Sequence, residues 1–162
     1  MKKLGKTNVM RILDRAKLPY AATAFEPDPE HLDAVTTAAK LGAAPDSVYK
    51  TLVLEDGACR LYVAVIPGPE SLDLKRAAAA FGLKTCHMLP LRELKPRTGY
   101  IHGACSPIGM KKTCPTRIDS RARGRADIYV SAGELGRQIR IEPQLLADFV
   151  GASFAELCLS KP

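Results

Sequence analysis

The chain has 162 residues, of which 46% are apolar and 25% charged. That is ordinary globular usage for one domain spanning 1–162 and excludes a disordered chain. No apolar run approaches the ~20 residues of a membrane span, and the net charge of +7 suits a polyanionic partner while saying nothing about fold.

The positive charge is uneven. Residues 1–17 hold six Lys or Arg and one Asp, and residues 111–125 hold six more against Asp119 alone. Four acids and no base fall in residues 18–39. Two basic segments that meet in space make a footprint for nucleic acid. Kept apart, they are solvated faces, and charge alone leaves both readings open. The basic N-terminus has no apolar segment behind it, so no secretory signal is expected and the expected location is cytoplasmic.

Thr7 can cap a first helix in which Val9, Leu13 and Ala16 repeat, with Pro19 as its stop. Tyr20 to Phe25 reads as a short strand, and Glu26-Pro27-Asp28-Pro29 as a loop. A second helix runs from about Asp33 to Leu41, ended by Gly42. Val48 to Leu54 and Arg60 to Ile66 are β-rich runs joined by Glu55-Asp56-Gly57-Ala58, a hairpin signal. Ser71 can cap a helix through Phe81. Lys84 to Met88 reads as a strand, and Leu91 to Leu94 as one helical turn after Pro90.

From Pro96 to Pro115 the chain is dense in Gly and Pro and reads as a long loop, a length that is usually functional or disordered. Thr116 to Asp119, Asp127 to Ser131 and Gln138 to Ile141 read as strands. Pro143 opens a last helix closed by Gly151, and Phe154 to Leu157 adds an edge strand. Hairpins interleaved with helices predict a mixed α+β fold, a mixed sheet with helices around it, and not a regular βαβ array.

The five Cys (59, 86, 105, 114 and 158) form no C-x-x-C pair, so no zinc or redox site is read and no metal is expected. Cys59 and Cys86 sit in apolar stretches and read as small core residues. Cys105 lies three residues from His102, which leaves a thiol nucleophile open. Asp119 and Asp127 have Arg neighbours and read as surface ion pairs rather than a catalytic carboxylate pair.

Two features could carry chemistry. Lys50 interrupts an otherwise apolar strand and shares a face with Leu52 and Leu54. It either opens into a cleft, where its ammonium could bind a phosphate or carboxyl oxygen, or snorkels at a strand end. The second is Gly103-Ala104-Cys105-Ser106-Pro107-Ile108-Gly109. It matches neither a Walker loop nor a nucleophile elbow, yet successive N–H groups in such a turn can cradle an anionic oxygen.

Val48-Tyr49-Lys50-Thr51-Leu52, Leu72-Asp73-Leu74-Lys75, Thr98-Gly99-Tyr100, the Gly103 to Gly109 loop followed by Lys111-Lys112, and Ile128-Tyr129-Val130-Ser131 occur in one order. In that order the chain resembles the YbaK family of trans-editing proteins, the bacterial Cys-tRNA(Pro) deacylases related to the editing domain of prolyl-tRNA synthetase. The resemblance implies a strongly twisted sheet, partly closed like a barrel, with helices outside. It implies hydrolysis of the ester of mischarged Cys-tRNA(Pro), without a cofactor. It assigns Lys50, Gly103 and Pro107 to catalysis, and Phe25, Thr51, Ala104, Cys105, Ser106, Ile108, Gly109 and Ser131 to substrate binding. Its thiol-assisted mechanism makes Cys105 a bystander.

Mischarged tRNA and prolyl-tRNA synthetase are the implied partners; neither DNA nor a membrane is. Where the family often has Ser-Gly-Gly-Lys-Arg-Gly this chain has Ser131-Ala-Gly-Glu-Leu-Gly136, and Gln138 stands where an acidic or small polar residue is common. These departures bear on amino-acid preference. The alternatives are deacylation of Ala-tRNA(Pro) or Ser-tRNA, or a non-catalytic module that binds tRNA or a nucleotide.

Overall fold

The computed structural model describes residues 5–160; Lys2 and Lys3 of the first basic segment lie outside them. Five helices surround two sheets in a mixed α+β arrangement. Helix α1 (Asn8–Arg15) starts where Thr7 accepts from the Met10 N–H. Helix α2 (Ala34–Leu41) is capped by Asp33 and closed by Gly42 at φ 67°. Strands β2 (Tyr49–Glu55) and β3 (Leu61–Pro67) form the expected antiparallel hairpin. Helix α5 (Pro143–Val150) ends at Gly151.

One sheet has the order β1 (Ala21–Ala24), β7 (Arg137–Ile141), β6 (Ile128–Ser131) and is antiparallel. The other has the order β4 (His87–Met88), β2, β3, β5 (Thr116–Asp119), β8 (Ser153–Ala155). Its β3–β5 and β5–β8 pairs are parallel. Neither sheet closes into a barrel. A lone parallel bridge, Val48 to Tyr129, joins them. Alternation along the strands divides the core: Val63, Val65, Ile118, Ile128, Val130 and Ile139 pack with α1 and α5, while Leu54, Ala64, Ile66 and Leu157 pack under Ala77 of α3 (Leu74–Phe81).

Four expectations are corrected. Helix α3 is capped by Asp73, which accepts from Lys75 N and Arg76 N, and not by Ser71. Helix α4 runs over Leu91–Thr98 with Pro96 inside it, so the irregular stretch begins at Gly99. Cys59 is exposed at the hairpin turn with φ 62°, and Cys86 is half-buried. Asp119 is buried and accepts from Leu157 N and the Cys158 thiol, which ties the segment after β8 to β5; Asp127 does pair with Arg140, at 3.4 Å. No helix among the described residues is long and apolar enough to cross a membrane.

Candidate functional site

On one edge β2 is fully paired with β3. On its other edge, only Val48 (to β6) and Leu54–Glu55 (to β4) find ladder partners. A cleft of about 530 Å³ lies along that gap. The position explains why consecutive residues line it: Lys50 and Leu52 flank the edge on one face, and Thr51 and Val53 on the other. Ser131 and Gln138, opposite one another on β6 and β7, form a second wall. Gly103 and Cys105 form a third, and Leu89 and Leu94 supply an apolar end.

The segment after α4 is shaped from within. Tyr100 donates its hydroxyl to the Ile108 carbonyl, closing the stretch between them. A Cβ on Gly109 would sit 2.9 Å from that hydroxyl oxygen, so only glycine fits beside it. Gly103 has φ 86°, and a Cβ there would lie 2.9 Å from Leu32 Cδ1. The Ser131 hydroxyl donates to the Ala104 carbonyl at 2.8 Å and accepts from Gly133 N at 3.0 Å. The loop is thereby fastened to the end of β6. Among the described residues the N–H groups of Gly103 and Cys105 donate to no protein acceptor. They are the free donors that a developing oxyanion needs.

The Lys50 ammonium has no hydrogen-bond or ion-pair partner among the described residues. Burial lowers its pKa, opposed by the Cys158 thiol and by Glu70. Because Cys158 is itself pushed up to about 12 by burial, it is neutral near pH 7, and Glu70 supplies the opposing charge there. Burial also pushes the Cys105 thiol up to about 12. No hydrogen bond joins it to the exposed His102, so it is protonated near pH 7 and makes a poor nucleophile.

Five of the residues read from sequence meet in the cleft: Lys50, Thr51, Gly103, Cys105 and Ser131. Ala104 is buried behind its wall, and Ser106 is buried with its hydroxyl accepting from Ile108 N. Pro107, Ile108 and Gly109 line a separate cavity of about 240 Å³ with Ile12 and Lys112, where parts of the two basic segments come together. Phe25 lies outside the cleft lining. Its ring is 5.7 Å from the Lys40 ammonium, and its N–H donates to the Gly136 carbonyl.

Sequence reasoning noted Gln138 only as a departure from the family pattern and missed Leu32, Leu89 and Leu94 as cleft residues. The signal for Gln138 was a neutral polar side chain across from Ser131, in a return strand that also carries Arg137 and Arg140. Among the described residues no group of three or more His, Cys, Asp or Glu could hold a metal ion.

Residues 28–149 match the aminoacyl-tRNA editing domain. The chain belongs to that family. The match spans Lys50, the Gly103 loop, Ser131 and Gln138, and leaves Phe25 outside. A protein of Enterococcus faecalis, provisionally named a Cys-tRNA(Pro)/Cys-tRNA(Cys) deacylase, is 43% identical over 152 residues, covering 94% of this chain and 93% of its own. Two crystal structures share the editing-domain fold. One, described as a candidate trans-editing enzyme for prolyl-tRNA synthetase, has a TM-score of 0.79 at 21% identity and covers 98% of this chain and 100% of its own. The other, of a hypothetical protein, has a TM-score of 0.85 at 23% identity, over 93% and 99% of the two chains.

Proposed function

We propose that the protein is a trans-editing deacylase that hydrolyses the ester of mischarged Cys-tRNA(Pro), with its whole chain as the editing unit. The observation that carries this reading is the pairing, in one cleft, of an unpartnered ammonium with free backbone N–H groups. The name of the Enterococcus faecalis relative supports the cysteinyl substrate. Lys50 takes the phosphate beside the terminal adenosine. Gly103 N–H and Cys105 N–H face the ester carbonyl and stabilise the negative charge that forms on its oxygen. Pro107 and the buried Ser106 and Ile108 stiffen the loop from behind.

No protein nucleophile is required. Cys105 is protonated, and the hydroxyls of Ser131 and Ser106 already serve the loop's own hydrogen bonds. The substrate's own thiol, as thiolate, attacks its carbonyl carbon. A C–S bond forms, the C–O bond to the ribose breaks, and the ribose oxygen leaves with a proton from water. The thiolactone so released is opened by water to cysteine. Proximity of thiol and ester supplies much of the rate.

The +7 charge favours a tRNA ligand and makes its binding salt-dependent. The partners in this reading are the mischarged tRNA and prolyl-tRNA synthetase, and the location is the cytoplasm.

The test is single-turnover deacylation of Cys-tRNA(Pro), Cys-tRNA(Cys), Ala-tRNA(Pro) and a Ser-tRNA by wild type and Lys50→Met, against the spontaneous rates. The expected result is rapid loss of cysteine only, abolished in the variant. Equal loss of alanine would overturn the thiol-assisted step. Salt-sensitive tRNA binding without turnover would turn the assignment to a binding module.

A further inference from the structure

We propose that Arg11 and Arg15 of α1, with Lys112, form the surface on which the phosphate backbone of the tRNA lies, on the outer side of the loop whose inner side lines the cleft. That the RNA is a mischarged tRNA rests on the deacylase reading; that this face binds an RNA backbone does not.

The loop has two sides. Gly103 and Cys105 line the cleft, while Pro107, Ile108 and Gly109 line the cavity of about 240 Å³. Helix α1 packs on that second side. Ile12 Cδ1 and Asn8 Nδ2 come within 3.1 and 3.6 Å of where a Gly109 Cβ would stand. Residues three and four apart are neighbours on a helix surface, so Asn8, Arg11, Ile12 and Arg15 make one patch of α1, and its Asn8–Ile12 side meets the loop. Lys112 lines the same cavity as Ile12. The six peptide steps from Gly103 to Gly109 span at most roughly 20 Å, so an RNA whose 3′ end enters the cleft passes close to this patch.

Charge decides between the two halves of the 111–125 segment. Four carboxylates stand around Arg121, Arg123 and Arg125. Arg121 lies 2.9 Å from Glu70 and 3.9 Å from Asp119, Arg125 lies 3.8 Å from Asp46, and Glu142 lines a cavity with Arg123 and Arg125. Positive charge is balanced there. Arg11, Arg15 and Lys112 are exposed and make no ion pair among the described residues. Asp14, the neighbour of Arg11 on α1, is taken by Lys6 and the Tyr20 hydroxyl. Asp148, beside the cavity-lining Phe149, accepts from Gln144 Nε2 at 2.9 Å. The face therefore keeps three positive charges against one negative.

A phosphate backbone is the ligand such a face suits. The duplex behind a single-stranded 3′ end presents phosphates and shape rather than readable base edges. Arg and Lys on phosphates fix the register and orientation of the RNA, which here would hold the 3′ end at the mouth of the cleft.

The experiment compares two charge-matched triple variants, Arg11→Gln/Arg15→Gln/Lys112→Gln and Lys75→Gln/Lys84→Gln/Arg123→Gln. Lys75 and Lys84 are exposed on α3 and just after it, across the five-stranded sheet from α1; Arg123 belongs to the balanced half. Binding of tRNA(Pro) is measured by fluorescence anisotropy over about 50–200 mM salt. Deacylation of Cys-tRNA(Pro) is followed in parallel with that of the 3′-cysteinyl ester of adenosine 5′-phosphate, which is too short to reach the face.

The α1 triple should lose about three from the slope of log affinity against log salt, about one per phosphate contact. It should bind tRNA about tenfold or more weakly at about 0.1 M salt, while the short ester is hydrolysed at the wild-type rate. The control triple should bind within about threefold of wild type, because charges beyond a Debye length from the RNA are largely screened. Both should melt as wild type does, since every replaced side chain is exposed. Equal weakening by the two triples would overturn the proposal in favour of net charge alone. A wild-type salt slope in the α1 triple would overturn it too, and weaker binding of that variant to prolyl-tRNA synthetase would then assign the face to a protein partner. If wild type binds tRNA through this face but hydrolyses neither ester, the surface stands and the deacylase reading falls.

Discussion

Ser131 is where loop geometry and stability can be separated. Its buried hydroxyl makes two hydrogen bonds, to the Ala104 carbonyl and from Gly133 N. Ser131→Ala removes both and leaves the Ala104 carbonyl unpaired in a residue that is 1% exposed. Gly133 is half-buried, and its N–H can turn to water. Two lost bonds of about 1 kcal/mol each and one stranded carbonyl give a cost of roughly 2–4 kcal/mol. For a chain of this size that lowers Tm by roughly 5–15 °C.

The freed loop also loses the tie that aims Gly103 N–H and Cys105 N–H. Removing a whole oxyanion donor costs about a hundredfold or more in kcat, so loosening two should cost at least about tenfold. The assay is urea unfolding of Ser131→Ala and Ser131→Thr with single-turnover deacylation at a temperature where each stays folded. Threonine keeps the hydroxyl and should recover most of the rate. Loss of stability with a wild-type rate in Ser131→Ala would refute the link between this clasp and the loop's donors.

Gly103→Ala places a side chain at φ 86° and a Cβ 2.9 Å from Leu32 Cδ1. About 1–3 kcal/mol of backbone strain should appear in urea unfolding, and kcat should fall; an unchanged kcat would show that the loop backbone does not face the reacting carbonyl. Maleimide near pH 7 should label exposed Cys59 first and spare Cys105, with deacylation unaffected once reagent is removed; inactivation that follows Cys105 labelling by mass spectrometry would restore the thiol nucleophile.

Asp56 is held well below the ordinary carboxylate pKa, first by Arg60 N–H and then by Tyr62 and Ala58 N–H. Its folded-state pKa is depressed, so its contribution is full above about pH 4, the unfolded value, and fades as pH falls through the folded one. Asp56→Asn should therefore lower Tm at pH 7 and flatten the loss of Tm between pH 4 and 2; parallel acid curves for the two proteins would exclude Asp56 as the source.

What was legible in the sequence was local. Asp33 and Gly42 bracket α2 because a carboxylate cap and a left-handed glycine are short-range devices. The β2–β3 hairpin is equally local, although its turn is not built on Gly57. The Asp56 carboxylate accepts from Ala58 N and Arg60 N at 2.9 and 3.0 Å, and this places the left-handed residue at Cys59.

Helix α4 outlasts Pro96 because Thr98 is buried beyond the point where propensity would stop it, and its Oγ1 donates to the carbonyl of buried Leu94. No periodicity announces that kind of tertiary gain. The parallel β3–β5–β8 pairs and the Val48–Tyr129 bridge join residues far apart in sequence. That bridge joins the sheet that carries Lys50 to the sheet that carries Ser131 and Gln138. Lys50, Thr51 and the Gly103 loop could therefore be singled out one at a time, but the wall made by Gln138 could not.

The distribution of unpaired polar atoms points to the same cleft without reference to any relative. Away from the cleft the buried carboxylates have partners. Asp56 takes Ala58 N, Arg60 and Tyr62 OH; Asp119 takes Arg121 N, Leu157 N and Cys158; Glu55 takes His87 and Arg97. Five buried side-chain atoms among the described residues find no partner, and three of them belong to Tyr49, Thr51 and Gln138, residues that line the cleft. The other two are guanidinium nitrogens of Arg125 and Arg137, whose remaining nitrogens reach Asp46 at 3.8 Å and the Gly5 carbonyl at 2.7 Å. With the free Lys50 ammonium and the idle N–H groups of Gly103 and Cys105, unmet hydrogen-bonding capacity gathers among the residues that line the cleft. Folding alone would select against that concentration, since each unmet group lowers stability. The Lys50 ammonium and the loop N–H groups suit a ligand with an anionic end and a carbonyl, the pair of groups found at the 3′ end of an aminoacyl-tRNA.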